Sequence, residues 1–272
     1  MGELDGRVAI VTGAGRGLGR AHALLLAAEG ARVVVNDRGA AIDGTGDDRT
    51  LAEQVVDEIR SAGGAAVAST LDVAQWESGE RLVAEALDAF GELHVLVNNA
   101  GILRDRALVN MTEHDWDVIM QVDLKGHFVP TRFAAAHWRR RAKAGEPVQA
   151  SVVNTVSTSG LLGNPGQSHY GTAKAGIAAF TIICAQELAR YGVRVNAISP
   201  SARTRMTGSS PGLAKFLEPP TDPNVFDMWD PANVSPLVVQ PSAMTLPRLR
   251  PTPSPTPCGP CSRPPRPHLT QL

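Results

Sequence analysis

Short runs rich in Val, Ile and Ala alternate, over the first 205 residues, with longer segments whose apolar positions recur at helical spacing. A short apolar run between turn residues suits a strand buried on both faces, and a long periodic one suits a helix lying on such a sheet. The pattern predicts strands over 7–12, 32–36, 65–71, 94–98, 150–156 and 193–198, and helices over 17–29, 50–62, 76–90, 113–142 and 170–191. Alternation of this kind gives βα units around a parallel sheet, so the expected fold is α/β and doubly wound, in a single domain.

The pattern fails near the end of the chain. Four of the 20 prolines (Pro130, Pro147, Pro165 and Pro200) precede residue 210, and sixteen follow it. Asp230 to Val239 (DPANVSPLVV) still reads as folded protein, but ten of the last 34 residues, from Val239 on, are proline and show neither period. Such a stretch sustains neither ladder nor helix, so residues 1–238 are expected to form the domain and 239–272 a disordered or extended tail. A reading frame lost near Val239 would produce this abrupt change. A Pro-rich ligand for an SH3-like partner is the functional alternative.

Composition narrows the function. A chain of 272 residues with 43% hydrophobic and 19% charged residues can bury a sizeable core, and its net charge of −1 gives no electrostatic reason to expect nucleic acid or an anionic membrane. No apolar run approaches the ~18 residues of a spanning helix, and the start, MGELDGRVAIVTG, lacks the pattern of a signal peptide. Three cysteines are too few for a disulfide framework, so a cytoplasmic location is expected. Cys258 and Cys261 have CxxC spacing without a second pair, and the histidines show no ligand spacing, so no metal is expected.

The first predicted strand runs into Thr12-Gly13-Ala14-Gly15-Arg16-Gly17-Leu18-Gly19 and then into a helix. Glycines at such a turn let backbone N–H groups and the positive end of the helix dipole meet a pyrophosphate, with any Cβ at the closest glycines in the way. The spacing is Thr-Gly-x-x-x-Gly-x-Gly, because Leu18 takes the place where the stricter GxGxxG pattern wants its last glycine. Eighteen residues beyond Gly19 the second strand ends at Asp37, which can accept from adenosine ribose hydroxyls and would repel a 2′-phosphate. NAD is therefore preferred, while Arg16 and Arg38, as guanidinium groups nearby, leave NADP open. Asp72 and Val73 close the third strand and could flank an adenine; Asn98, Asn99, Ala100 and Gly101 close the fourth with residues small enough for close approach.

Tyr170 and Lys174 stand four apart at the start of a helix, hence on one face. An ammonium beside a phenol favours the phenolate and lowers its pKa, making Tyr170 a usable acid or base. Ser157, thirteen residues earlier, ends the fifth strand and can polarise a carbonyl or alcohol oxygen.

With these residues in place, the chain resembles the short-chain dehydrogenase/reductase family from Gly6 to about Val239, through the loop at Thr12–Gly19, the NNAG at Asn98–Gly101, Ser157, and the YxxxK at Tyr170–Lys174. The resemblance implies a seven-stranded Rossmann-type fold and hydride exchange between a nicotinamide and an alcohol or ketone. It implies that Tyr170 moves the proton, Lys174 also holds the nicotinamide ribose, Ser157 orients the substrate oxygen and Thr204 meets the carboxamide. The family's fourth residue, an asparagine, is Asp123 here, in Val122-Asp123-Leu124-Lys125-Gly126. Its charge is expected to raise the pKa of Lys174 and alter the activity modestly.

The long loop after Asp37, the segment Gly101–Arg106 and the segment Pro200–Thr207 look like the branch that oxidises (3R)-hydroxyacyl-CoA with NAD. The partner implied is a small alcohol or ketone carried as an acyl-CoA, and the assembly a homodimer or homotetramer. The competing enzyme is an NADPH-dependent 3-oxoacyl-carrier-protein reductase, against which Asp37 speaks. The competing class is a nucleotide-binding chain with impaired catalysis, because the tail replaces the family's final strand.

Overall fold

The computed structural model describes residues 2–208, 217–222 and 225–244. Strands β1 (Val8–Thr12), β2 (Arg32–Asn36), β3 (Ala65–Ser69), β4 (Val95–Asn98), β5 (Ala150–Thr155) and β6 (Val193–Ile198) form one sheet in the order β3-β2-β1-β4-β5-β6. Every neighbouring pair is parallel. The central strands are β-branched runs such as VAIVT and VLVN, buried along their whole length.

In chain order the helices are α1 (Gly17–Ala28), α2 (Thr50–Ser61), α3 (Trp76–Phe90), α4 (Glu113–Ile119), α5 (Gly126–Lys143), α6 (Thr158–Leu162), α7 (Ser168–Leu188), α8 (Arg205–Gly208) and α9 (Pro236–Ala243). Side chains alternate across each strand, so β1 feeds two cores: Ala9 and Val11 meet Leu26 of α1, Val55 of α2 and Val238 of α9 on one face. Val8 and Ile10 meet Leu82 of α3, Trp138 of α5 and Leu188 of α7 on the other. The chain reverses its direction of travel between β1 and β4, which opens a crevice at the carboxyl ends of the strands.

Three expectations need correction, and one element is added. The helix expected over 113–142 is broken: a π-helical segment, Met120–Lys125, separates α4 from α5. Its wider turn carries Asp123, and such segments recur at functional sites. The helix expected from 170 begins at Ser168 and gives way after Leu188 to a 3-10 turn, Ala189–Tyr191. The short α6, too brief for a periodic pattern, was not expected; Ser157 caps it by accepting the Ser159 N–H.

The third correction concerns the boundary at 238/239, which α9 crosses. Pro236 sits at its first turn, where no N–H is needed, and Val238 and Val239 are buried in the core against α1. Arg194 of β6 donates to the carbonyls of Pro241 and Met244, satisfying the end of α9 that Pro241 would otherwise weaken. Among the described residues the sheet has six strands and β6 stands at its edge. The rest of the Pro-rich segment, with Cys258 and Cys261, lies outside the described residues. No described helix is long and apolar enough to cross a membrane.

Candidate functional site

The glycine-rich loop joins β1 to α1 at the crevice. Gly13 (φ +62°) and Gly17 (φ +52°) occupy the left-handed region, which side chains avoid. A Cβ on Gly13 would fall 2.7 Å from Ala100 Cα, and one on Gly19 would fall 2.1 Å from the Gly13 oxygen. Those two glycines therefore serve packing within the chain. Gly17 is the one that faces the opening, where a Cβ would meet nothing nearer than Thr204 Cγ2 at 3.4 Å. Arg16, the residue before α1, makes no side-chain cap, and the first turn of α1 has no acidic residue. The positive end of α1 is thus available to an anion.

Thr12 holds the loop in place. Its Oγ1 accepts the backbone N–H groups of Asn99 at 3.0 Å and Ala100 at 3.1 Å, while Asn99 Nδ2 donates to the Thr12 and Gly13 carbonyls, each at 3.1 Å. The ends of β1 and β4 are thereby tied together.

Asp37, at the end of β2, accepts from Gly15 N at 2.8 Å and from Gly39 N at 2.7 Å. Of the three arginines that line this part of the cleft, two are paired with other carboxylates, Arg16 with Asp48 at 3.6 Å and Arg38 with Asp72 at 3.1 Å, while Arg205 lies within the field of Asp37 and reaches the Ala40 carbonyl at 3.5 Å. The long loop after Asp37 arches to the far side of the crevice, where Leu103 N donates to the Ile42 carbonyl at 2.9 Å and Arg104 Nε to that of Asp43 at 2.7 Å. One cleft is lined by Gly13, Arg16, Gly17, Leu18, Asp37, Asp72, Val73, Asn99, Ala100, Gly101, Lys174 and Thr204. Gly19 stands behind the loop; Asp123, Ser157 and Tyr170 lie beyond the cleft lining.

Lys174 is 3% exposed and donates to the Thr155 carbonyl at 3.1 Å, with its ammonium 5.5 Å from the centre of the Tyr170 ring. Burial lowers its pKa and the charge of Asp123 opposes that. Asp123 is fully buried; burial pushes its carboxyl up to about 6, against the pull of Lys174 and the Ile102 N–H. The Ile102 N–H reaches Asp123 Oδ1 at 2.9 Å, and Oδ2 has no hydrogen-bond partner.

Tyr170 departs from expectation. Its pKa is raised, chiefly by burial, then by the charges of Asp123 and Asp105, while a hydrogen bond with Ser157 pulls the other way. The residues nevertheless fit a nicotinamide dinucleotide: a glycine and a free helix end at one part of the cleft, a carboxylate at the end of β2, and at the other part the buried Lys174 with an unpartnered Thr155 Oγ1. Among the described residues no cluster of His, Cys, Asp or Glu could hold a metal.

Sequence reasoning placed Thr12 in the loop motif without giving it a role, and missed Asp105, Ser159 and Gln167, which meet through side-chain contacts such as that between Asp105 and Gln167.

Residues 7–211 match the family model described as short chain dehydrogenase. The chain is 49% identical over 222 residues to a Mycobacterium tuberculosis protein named hydroxyacyl-CoA dehydrogenase ChsB1, covering 79% of this chain and 67% of that one. It is 45% identical over 205 residues to the mouse peroxisomal multifunctional enzyme type 2, covering 75% of this chain but 27% of the enzyme. A Synechocystis 3-oxoacyl-[acyl-carrier-protein] reductase is 42% identical over 200 residues, covering 74% of this chain and 75% of that one. A crystal structure of a short chain dehydrogenase from Mycobacterium avium superposes with a TM-score of 0.77 at 51% identity, over 89% of this chain and 79% of that one. With the family model matched over 7–211 and a relative 49% identical over 222 residues, the chain belongs to the short chain dehydrogenase family and is an NAD(P)-dependent oxidoreductase.

Proposed function

We propose that this oxidoreductase uses NAD and interconverts the hydroxyl and ketone of a 3-hydroxyacyl-CoA. The observation that carries the cofactor choice is Asp37, fixed between Gly15 N and Gly39 N, with Arg16 and Arg38 paired to other carboxylates. A carboxylate held there receives ribose hydroxyls and repels a 2′-phosphate. The acyl-CoA class is supported by the relatives named hydroxyacyl-CoA dehydrogenase and peroxisomal multifunctional enzyme type 2.

When bound, the nicotinamide supplies the hydride acceptor or donor. Gly17 and the start of α1 receive the pyrophosphate, Asp37 the adenosine ribose, Asp72 and Val73 the adenine, and Asn99, Ala100, Gly101 and Thr204 the nicotinamide half. Lys174 sits where it can hold the nicotinamide ribose. Ser157, its lone pair engaged by the Ser159 N–H, has its hydroxyl hydrogen on the side of Tyr170, and would turn it to a substrate oxygen placed between the two. Tyr170 takes the alcohol proton in oxidation and returns it in reduction. Its raised pKa suits the donor role, and the cationic ring of oxidised NAD would favour the phenolate needed for oxidation. Asp123, beside Lys174, sets the charge that this proton transfer meets.

The test is turnover of a panel of 3-hydroxyacyl-CoA substrates with NAD, with Tyr170→Phe as control. The reading predicts turnover that falls about 10²- to 10⁴-fold in the variant. Turnover confined to NADPH and an acyl-carrier-protein substrate would support the second reading, which rests on the Synechocystis reductase.

A further inference from the structure

We propose that Gln167 is a positioning residue for the reaction, fixing the direction of the Ser157 hydroxyl by holding Ser159 against Asp105. The inference rests on the role given to Ser157 above.

Gln167 is the residue before α7, a place that favours a short side chain capping the helix, yet its side chain makes no cap. It turns inward instead, 7% exposed, and both ends of its amide are used. Nε2 donates to Asp105 Oδ1 at 2.9 Å, and Oε1 accepts from Ser159 Oγ at 2.7 Å. An ionised carboxylate only accepts, so Asp105 fixes which way the amide points, and the amide in turn fixes the Ser159 hydroxyl as its donor.

Ser159 N then donates to Ser157 Oγ at 3.2 Å. That bond occupies a lone pair and leaves the Ser157 hydroxyl hydrogen for the other side of the oxygen, where Tyr170 is its hydrogen-bond partner. Without Gln167, the Ser159 hydroxyl is free to compete for Ser157.

The frame around this relay is tight. Arg106 N donates to the Gly166 carbonyl at 2.7 Å, joining the loop that bears Asp105 to the segment that bears Gln167. A Cβ on Gly160 would fall 2.6 Å from Ala175 N, and one on Gly171 would fall 2.9 Å from the Ser159 carbonyl. The backbone around Ser159 therefore lies directly on α7, and the Gln167 amide is placed to set the angle of the Ser159 side chain.

The test uses the full chain with Gln167→Glu, Gln167→Met and the double variant Asp105→Asn/Gln167→Glu. A carboxylate at 167 opposes that of Asp105, whereas in the double variant the new amide at 105 donates to the new carboxylate at 167 and the Ser159 hydroxyl keeps its acceptor. Two readouts apply: amide hydrogen exchange over residues 157–162 without cofactor, and kcat, KM and NADH affinity. Both single variants are expected to speed exchange there, and to lower kcat, by about tenfold or more, with NADH affinity changed by less than about twofold. The double variant restores exchange and kcat to within about threefold of the parent.

Unchanged exchange in both single variants, or a double variant no better than Gln167→Glu, overturns the proposal. Gln167→Met carries the test if Gln167→Glu does not fold. If the parent turns over no hydroxyacyl-CoA, the proposed function fails, and the exchange measurements still decide the role of Gln167.

Discussion

Asp123 and Lys174 meet across Gly101: a Cβ placed on that glycine would fall 2.6 Å from Asp123 Oδ1 and 3.5 Å from Lys174 Nζ. A carboxylate and an ammonium, both buried, therefore share the space beside the proposed proton-transfer site. An amide at position 123 could still accept from the Ile102 N–H, more weakly and without the charge.

From this follows a prediction for Asp123→Asn. The charge of Asp123 raises the pKa of Tyr170 and of Lys174, so removing it shifts the alkaline limb of the oxidation rate to lower pH, by about one unit. The parent is expected to show an inflection near 6, where burial places the Asp123 carboxyl, and the variant to lack it. The pH dependence of kcat/KM for both proteins checks this; superimposable profiles would show that Asp123 does not reach the proton path.

The folded pKa of Asp123 lies above its ordinary value, so the native chain holds an extra proton between about 4 and 6 and loses stability as pH rises through that window.

Two glycines of the same loop separate binding from folding. Gly19→Ala puts a Cβ 2.1 Å from a backbone oxygen that cannot move aside, and is expected to cost about 3 kcal/mol of stability. Gly17→Ala meets no such contact but strains a positive φ, at about 1 kcal/mol, and intrudes on the cleft. Thermal melts and NADH titrations are expected to show a large drop in Tm for the first. For the second they should show a small drop in Tm with affinity about tenfold weaker.

His22 makes the hold of the C-terminal segment sensitive to acid. Its Nδ1 lies 2.9 Å from Ser235 Oγ, just before α9, and burial pushes its pKa down to about 4. The unfolded chain binds the proton first, so this stability is full above about 6.5, falls as pH drops toward 4, and amounts to about 3 kcal/mol. His94, also pushed down to about 4, adds to the same window. His22→Asn is expected to flatten the decline of Tm between pH 6.5 and 4, measured by calorimetry, and an unchanged slope would contradict this.

How much the sequence disclosed varies with the range of the interactions. Strands such as Val8–Thr12 and Val95–Asn98 were legible because β-branched runs buried on both faces leave a continuous apolar signature. Tyr170 and Lys174 were legible because helical spacing alone puts them on one face. The π segment was not, since Met120–Lys125 keeps the helical alternation on either side and its widened turn depends on where Asp123 packs. Nor was α9, whose buried Val238 and Val239 stand next to prolines that read as a breaker. The raised pKa of Tyr170 was hidden for the same reason: it comes chiefly from burial and then from the charge of Asp123, 47 residues earlier in the chain. Asp105, Ser159 and Gln167 come from separate segments, and only the folded chain joins them.

The most direct measurement is a parallel titration of the purified chain with NADH and NADPH, followed by nicotinamide fluorescence, in the parent and in Asp37→Ala. With Asp37 held against Gly15 N and Gly39 N, the parent is expected to bind NADH saturably and about tenfold or more tighter than NADPH, and the variant to lose that preference. Tighter binding of NADPH by the parent, or binding of neither, would contradict the account.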